Sequence, residues 1–81
     1  MLLIYERTDL ETMICVATSK DRYYRELFEA MRKHKSIRET PYYELFRESP
    51  TGRTFICSGL GKSHNEALNE LIDKFYNRKG K

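Results

Sequence analysis

The stretch Gly59-Leu60-Gly61-Lys62-Ser63 carries the densest set of residues that could do chemistry. Glycines, a lysine and a hydroxyl ahead of an apolar-periodic segment are the ingredients of a phosphate-binding loop. A nucleotide loop needs the spacing G-x-x-x-x-G-K-[ST]. Counting back from Gly61 puts Ile56 where its first glycine belongs, so that motif fails. A smaller anion site survives. Lys62, beside the free N–H groups that open a helix, can hold one phosphate of a nucleic-acid backbone.

The other candidate sets are weaker. His34, His64, Cys15 and Cys57 have no paired ligand spacing, so no metal and no cofactor is expected. No Ser/His/Asp or Cys/His arrangement is suggested. Carboxylates fall at helical spacings from cations, as Glu29 with Arg25 and Lys33, or Glu70 with Lys74. No enzyme activity and no small-molecule substrate is expected. The strongest charge run is Arg32-Lys33-His34-Lys35, continued by Arg38, with a second at Lys74, Arg78, Lys79 and Lys81. Both fall at C-terminal ends of helices, where cations offset the helix dipole. They also form an electrostatic footprint for nucleic acid. The candidate nucleic-acid-binding residues are Lys62, His64, Arg53, Arg32, Lys33, Lys35 and Arg38. The doublets Tyr23-Tyr24 and Tyr42-Tyr43 should each bury one member. The exposed members, with Tyr5 and Tyr76, could stack on bases or anchor a protein partner.

The elements that must position these residues follow from periodicity. Leu2–Arg7 and Thr12–Thr18 read as strands round a polar break at residues 8–11. Tyr24, Leu27, Phe28 and Met31 recur at i, i+3, i+4, i+7, a helix with Ser19 as N-cap that fades near His34 to Ser36. Tyr42–Glu48 and Arg53–Ser58 are strands joined by the turn Ser49-Pro50-Thr51-Gly52. Leu68, Leu71, Ile72 and Phe75 form the stripe of a second helix, Ser63–Asn77. Ser63-His64-Asn65-Glu66 fits a capping box.

The halves align. "TMIC" at 12–15 matches "TFIC" at 54–57, an offset of 42 (54 − 12), and the helical stripes match at 44 (68 − 24). The two extra residues are assigned to "GLG". The chain is expected to be one α+β domain, an internally duplicated ββαββα. Its first ββα unit is 1–36, its second 41–77, and 78–81 form a basic tail. A four-stranded antiparallel sheet carries both helices on one face. Strand alternation puts Phe55 and Cys57 inward, and by the repeat Met13 and Cys15 also.

From residue 21 to 76 the chain resembles a double-stranded-RNA-binding domain. "ETPYYELFRES" is similar to that family's P-x-Y strand, and "GLGKSHNEA" to its G-x-G-x-S-x-x-x-A helix start. The resemblance implies an α+β sheet-and-helix fold that grips RNA phosphates. Two departures stand out. The family's paired lysines are His64 and Asn65 here, and only two strands lie between the helices, so the N-terminal hairpin must complete the sheet. Arg53 follows the turn where the family's loop carries a histidine that reaches a minor groove.

Composition sets the outer bounds. The 81 residues suffice for one domain, with 15 Lys+Arg against 12 Asp+Glu, a formal net charge of +3 and 40% hydrophobic residues. A domain of that size is marginal alone, which makes dimerisation a live expectation. Two cysteines without a C-x-x-C suggest free thiols and a cytoplasmic setting. No apolar run reaches the roughly 18 residues of a membrane span, and "MLLIYER" lacks the basic start of a signal peptide. The leading expectation is a small non-catalytic nucleic-acid-binding domain that contacts the phosphate backbone. The alternative is a protein-interaction or regulatory module. It would be a phage or mobile-element accessory protein, acting as a homodimer or on a protein partner.

Overall fold

Alternation in Leu2-Leu3-Ile4-Tyr5-Glu6-Arg7 sends every second side chain to each face of a strand. A computed structural model describes residues 1–9, 11–36 and 38–77. Strands are β1 (Leu2–Arg7), β2 (Met13–Ser19), β3 (Tyr42–Ser49) and β4 (Gly52–Leu60), and helices are α1 (Tyr24–Lys33) and α2 (His64–Asn77). The strands form one antiparallel sheet in the order β2-β1-β3-β4, and both helices pack on one face of it. The expected α+β architecture is the one observed. The basic tail, residues 78–81, lies outside the described residues.

The core follows from the stripes. Leu2, Ile4, Tyr43, Leu45 and Cys57 face Leu27, Phe28 and Met31 of α1 and Ala67, Leu68, Leu71 and Phe75 of α2. The helices run antiparallel. At one end Tyr24 packs against Phe75 and Tyr76 with ring centroids 5.4 and 5.9 Å apart. At the other end the C-terminus of α1 meets the N-terminus of α2, where the His34 and His64 rings lie 5.9 Å apart.

The duplication is visible in the register, at offsets other than those expected. β1 and β3 pair antiparallel at the centre of the sheet, with Ile4 opposite Leu45. The ladder β1–β2 shifts between Ile4 and Tyr5, skipping Val16, and β3–β4 shifts between Leu45 and Phe46, skipping Ile56. These are matching bulges at an offset of 40 (56 − 16). The helices begin at the same offset, Tyr24 and His64. The "TMIC"/"TFIC" match is therefore two residues out of register. Ala17, not Cys15, is the counterpart of Cys57. No insertion falls in "GLG", because Gly59 and Leu60 are strand residues paired with Tyr43 and Tyr42.

The bulges also correct the expected faces. An extra residue breaks strict alternation, so side chains on its two sides no longer follow period 2. Cys57 is buried, but Phe55 is 52% exposed on the face the helices leave open, and Cys15 is exposed. Ser19 does not cap α1. It ends β2, and a 3₁₀ turn over Asp21–Tyr23 leads into the helix without a side-chain cap. Glu29 pairs with Arg32 at 3.9 Å rather than with Arg25 or Lys33, whereas Glu70 and Lys74 pair as expected at 3.6 Å.

Candidate nucleic-acid interface

The Gly59–Ser63 junction is built for packing. Gly59 lies under α2. A Cβ placed on it would stand 2.1 Å from the Ala67 carbonyl oxygen and 2.8 Å from the Leu71 nitrogen. At Gly61 it would meet the Glu66 Cβ at 2.6 Å and the Ala67 nitrogen at 2.7 Å. Neither glycine has positive φ; Gly52, at +139° in the β3–β4 turn, does. Glycine is required at 59 and 61 by the nearness of helix backbone. The capping box forms: Ser63 Oγ accepts from the Glu66 N–H at 3.3 Å. The Glu66 carboxylate accepts from the Lys62 N–H at 2.9 Å, one residue before the cap.

Where α1 ends and α2 begins, the sequence delivers Arg32, Lys33, His34, Lys35 and Ser36 from one side and Ser63, His64 and Asn65 from the other. Together they line an open depression of about 640 Å³. Three of these side chains are cations and none is a carboxylate. Lys62 lines the adjoining depression with Thr40, Leu60, Gly61 and Glu66. Arg38 is not part of the group. Its Nη1 donates to the Thr8 carbonyl at 2.6 Å, holding the approach to β3 against the β1–β2 turn, and its Nε has no partner among the described residues. Arg53 lies on the opposite, open face, donating to the Tyr5 hydroxyl with its guanidinium 5.4 Å from that ring. The expected set is thus divided: Arg32, Lys33 and Lys35 share a surface with His64, Lys62 borders it, and Arg38 and Arg53 serve elsewhere.

His64 is committed to the fold. Its Nε2 lies 2.7 Å from the Met31 carbonyl, which can only accept. Nε2 therefore carries a proton, and in the neutral ring Nδ1 accepts from the Tyr43 hydroxyl at 2.8 Å. The contact gives that carbonyl, in the last turn of α1, a second donor beside the His34 N–H at 3.1 Å. Beneath it lies a pair that sequence spacing conceals. Glu6, 6% exposed, accepts from Ser36 and from His34 Nε2, the latter at 2.8 Å across 28 residues of chain. One sign was available: Glu6 continues the inward alternation of Leu2 and Ile4, and a carboxylate at an inward position needs partners. Among the described residues no group of three or more His, Cys, Asp or Glu is gathered to hold a metal. None of their helices is long and apolar enough to cross a membrane.

Burial, with Glu6 nearby, pushes the Tyr43 hydroxyl up to about 12 from its ordinary 10.0. The folded state holds this proton more tightly than the unfolded chain. Its contribution is complete below about pH 10 and is lost as pH rises through about 12. A two-unit difference corresponds to ~2–3 kcal/mol. Denaturant titrations from pH 9 to 12 should show stability falling more steeply in the wild type than in Tyr43→Phe. Parallel curves would refute this.

The open face of the sheet carries a row of rings. Tyr5 and Phe46 lie 5.5 Å apart and Phe46 and Phe55 5.6 Å apart, each pair near edge-to-face. No helix covers them. No family model, curated protein or solved structure matches the chain.

Proposed function

We propose that the protein binds nucleic acid through its phosphate backbone at the junction of α1 and α2. One observation carries the reading: Arg32, Lys33 and Lys35 line a shared depression that no carboxylate lines. Cations so placed attract a polyanion with little base readout, because phosphates are alike in every sequence. Lys62, on the rim at the start of α2, extends the positive surface. Fluorescence anisotropy with short labelled strands and duplexes tests it. The logarithm of the affinity should fall linearly with log salt. Each of Arg32→Ala, Lys33→Ala and Lys35→Ala should flatten the slope by about 0.9 for duplex or about 0.7 for single strands. No binding by the folded protein at low salt would end the proposal.

A second reading rests on the other face. Phe55 is 52% exposed at the end of the uncovered Tyr5–Phe46–Phe55 row, on the edge strand β4. An aromatic row of that kind suits a protein partner or a second copy of the chain. Sedimentation of the wild type and Phe55→Glu over a range of concentrations should show association in the first alone. A concentration-independent monomer in both removes the homodimer.

A further inference from the structure

The Glu6–His34 pair holds an imidazole in one orientation at the edge of a cationic surface. Glu6 accepts from Nε2 and is itself braced by Ser36, so the ring's plane and tautomer are fixed. Nδ1 then carries the lone pair, and no hydrogen bond engages it among the described residues. The side chain is 26% exposed and lines the same depression as Arg32, Lys33 and Lys35. An imidazole held by a carboxylate on one nitrogen and open on the other is a positioned general base. His64, beside it, has both nitrogens engaged and is not a second base.

We propose that this site cleaves RNA, with the ribose 2′-hydroxyl as nucleophile; the proposal rests on the nucleic-acid reading above. Arg32, Lys33 and Lys35 hold the scissile phosphodiester. His34 Nδ1 takes the proton of the 2′-hydroxyl, and the 2′-oxygen forms a bond to phosphorus. The bond from phosphorus to the 5′-oxygen breaks. That oxygen takes a proton from water, and the imidazolium returns one to solvent. The products are a 2′,3′-cyclic phosphate and a 5′-hydroxyl, with no other reactant consumed. The cations stabilise the charge that builds on the phosphoryl oxygens. His34 is the catalytic residue and Glu6 a positioning residue. DNA, without the 2′-hydroxyl, binds and is not cut.

The test incubates the whole chain with a single-stranded RNA, its 2′-O-methyl form and the DNA of the same sequence. Binding is followed by anisotropy and products by mass. The expected result is cleavage of the RNA alone, to fragments ending in a cyclic phosphate. His34→Gln keeps an N–H for Glu6 but has no base. It should lose about 100-fold or more in rate and keep its affinity for the DNA. In Glu6→Gln the ¹⁵N spectrum of the His34 ring should change from one tautomer to a mixture as the rate falls. A merely structural Glu6 would leave that spectrum unchanged. Binding without cleavage at excess protein overturns this inference and spares the binding proposal. Neither binding nor cleavage overturns both. Undiminished cleavage by His34→Gln also overturns it.

Discussion

Gly59→Ala should lower the melting temperature by about 12 °C or more, or prevent folding outright. The added methyl would stand 2.1 Å from a carbonyl oxygen and 2.8 Å from an amide nitrogen of α2. Helix backbone cannot swing aside as a flexible side chain can. Relief requires lifting α2 from β4, which loosens Ala67 and Leu71, both fully buried. Overpacking typically costs ~1–3 kcal/mol, and a backbone obstacle belongs at or above the top of that range. In a domain of this size each kcal/mol shifts the midpoint by roughly 4–8 °C. Thermal unfolding followed by circular dichroism measures it. Gly52→Ala is the control. Nothing lies within 4 Å of its added carbon, so only the strain of φ +139° remains, and the loss should be smaller. A Gly59→Ala domain that melts with the wild type would show that α2 does not rest on this strand as described.

His64→Ala should cost ~1–3 kcal/mol, because it leaves a buried hydroxyl without its acceptor. Tyr43 is fully buried and its hydroxyl loses Nδ1; the Met31 carbonyl loses Nε2 but keeps the His34 N–H at 3.1 Å. Tyr43→Phe removes one bond of the chain and should cost less, about 1–2 kcal/mol. The two share an interaction, so the double variant should be less destabilised than the sum of the singles. Urea unfolding of all four proteins gives the coupling. An additive result would mean that the Tyr43–His64 bond contributes nothing. His64→Ala, wherever it remains folded, should keep most of its affinity for nucleic acid, since the imidazole is spent on the fold.

Local devices in this chain are legible in its sequence, and long-range ones are not. β1 was legible to the residue, because Leu2–Arg7 opens as an apolar and aromatic run and a polar break follows. α2 and its cap were legible because the S-x-x-E pattern is a local device, satisfied within one turn. The faces of β2 and β4 were not. A bulge breaks their alternation without leaving a compositional trace: Phe55, expected inward with Cys57, faces out, while Cys57 stays buried. The cationic run was plain in Arg32-Lys33-His34-Lys35, and its meeting with Ser63, His64 and Asn65 depends on antiparallel helices. Glu6 and His34 were invisible as a pair, since the contact is made across most of one ββα unit and no spacing rule reaches that far.

The pairing of β1 with β3 has a consequence for how the chain acquires its structure. Each half contains a hairpin and a helix that can form from neighbouring residues. The ladder joining them, centred on Ile4 opposite Leu45, closes a long loop and holds the halves in one sheet. Local contacts form in microseconds, whereas closing such a loop must be accomplished before its contacts repay the entropy. The step expected to limit the rate is the meeting of the two halves. Substitutions at Ile4 or Leu45 would slow folding, and substitutions in the Ser49–Gly52 turn would leave that step nearly unchanged. The same ladder means that either half made alone would present an unpaired central strand, an edge already shaped to receive its missing counterpart.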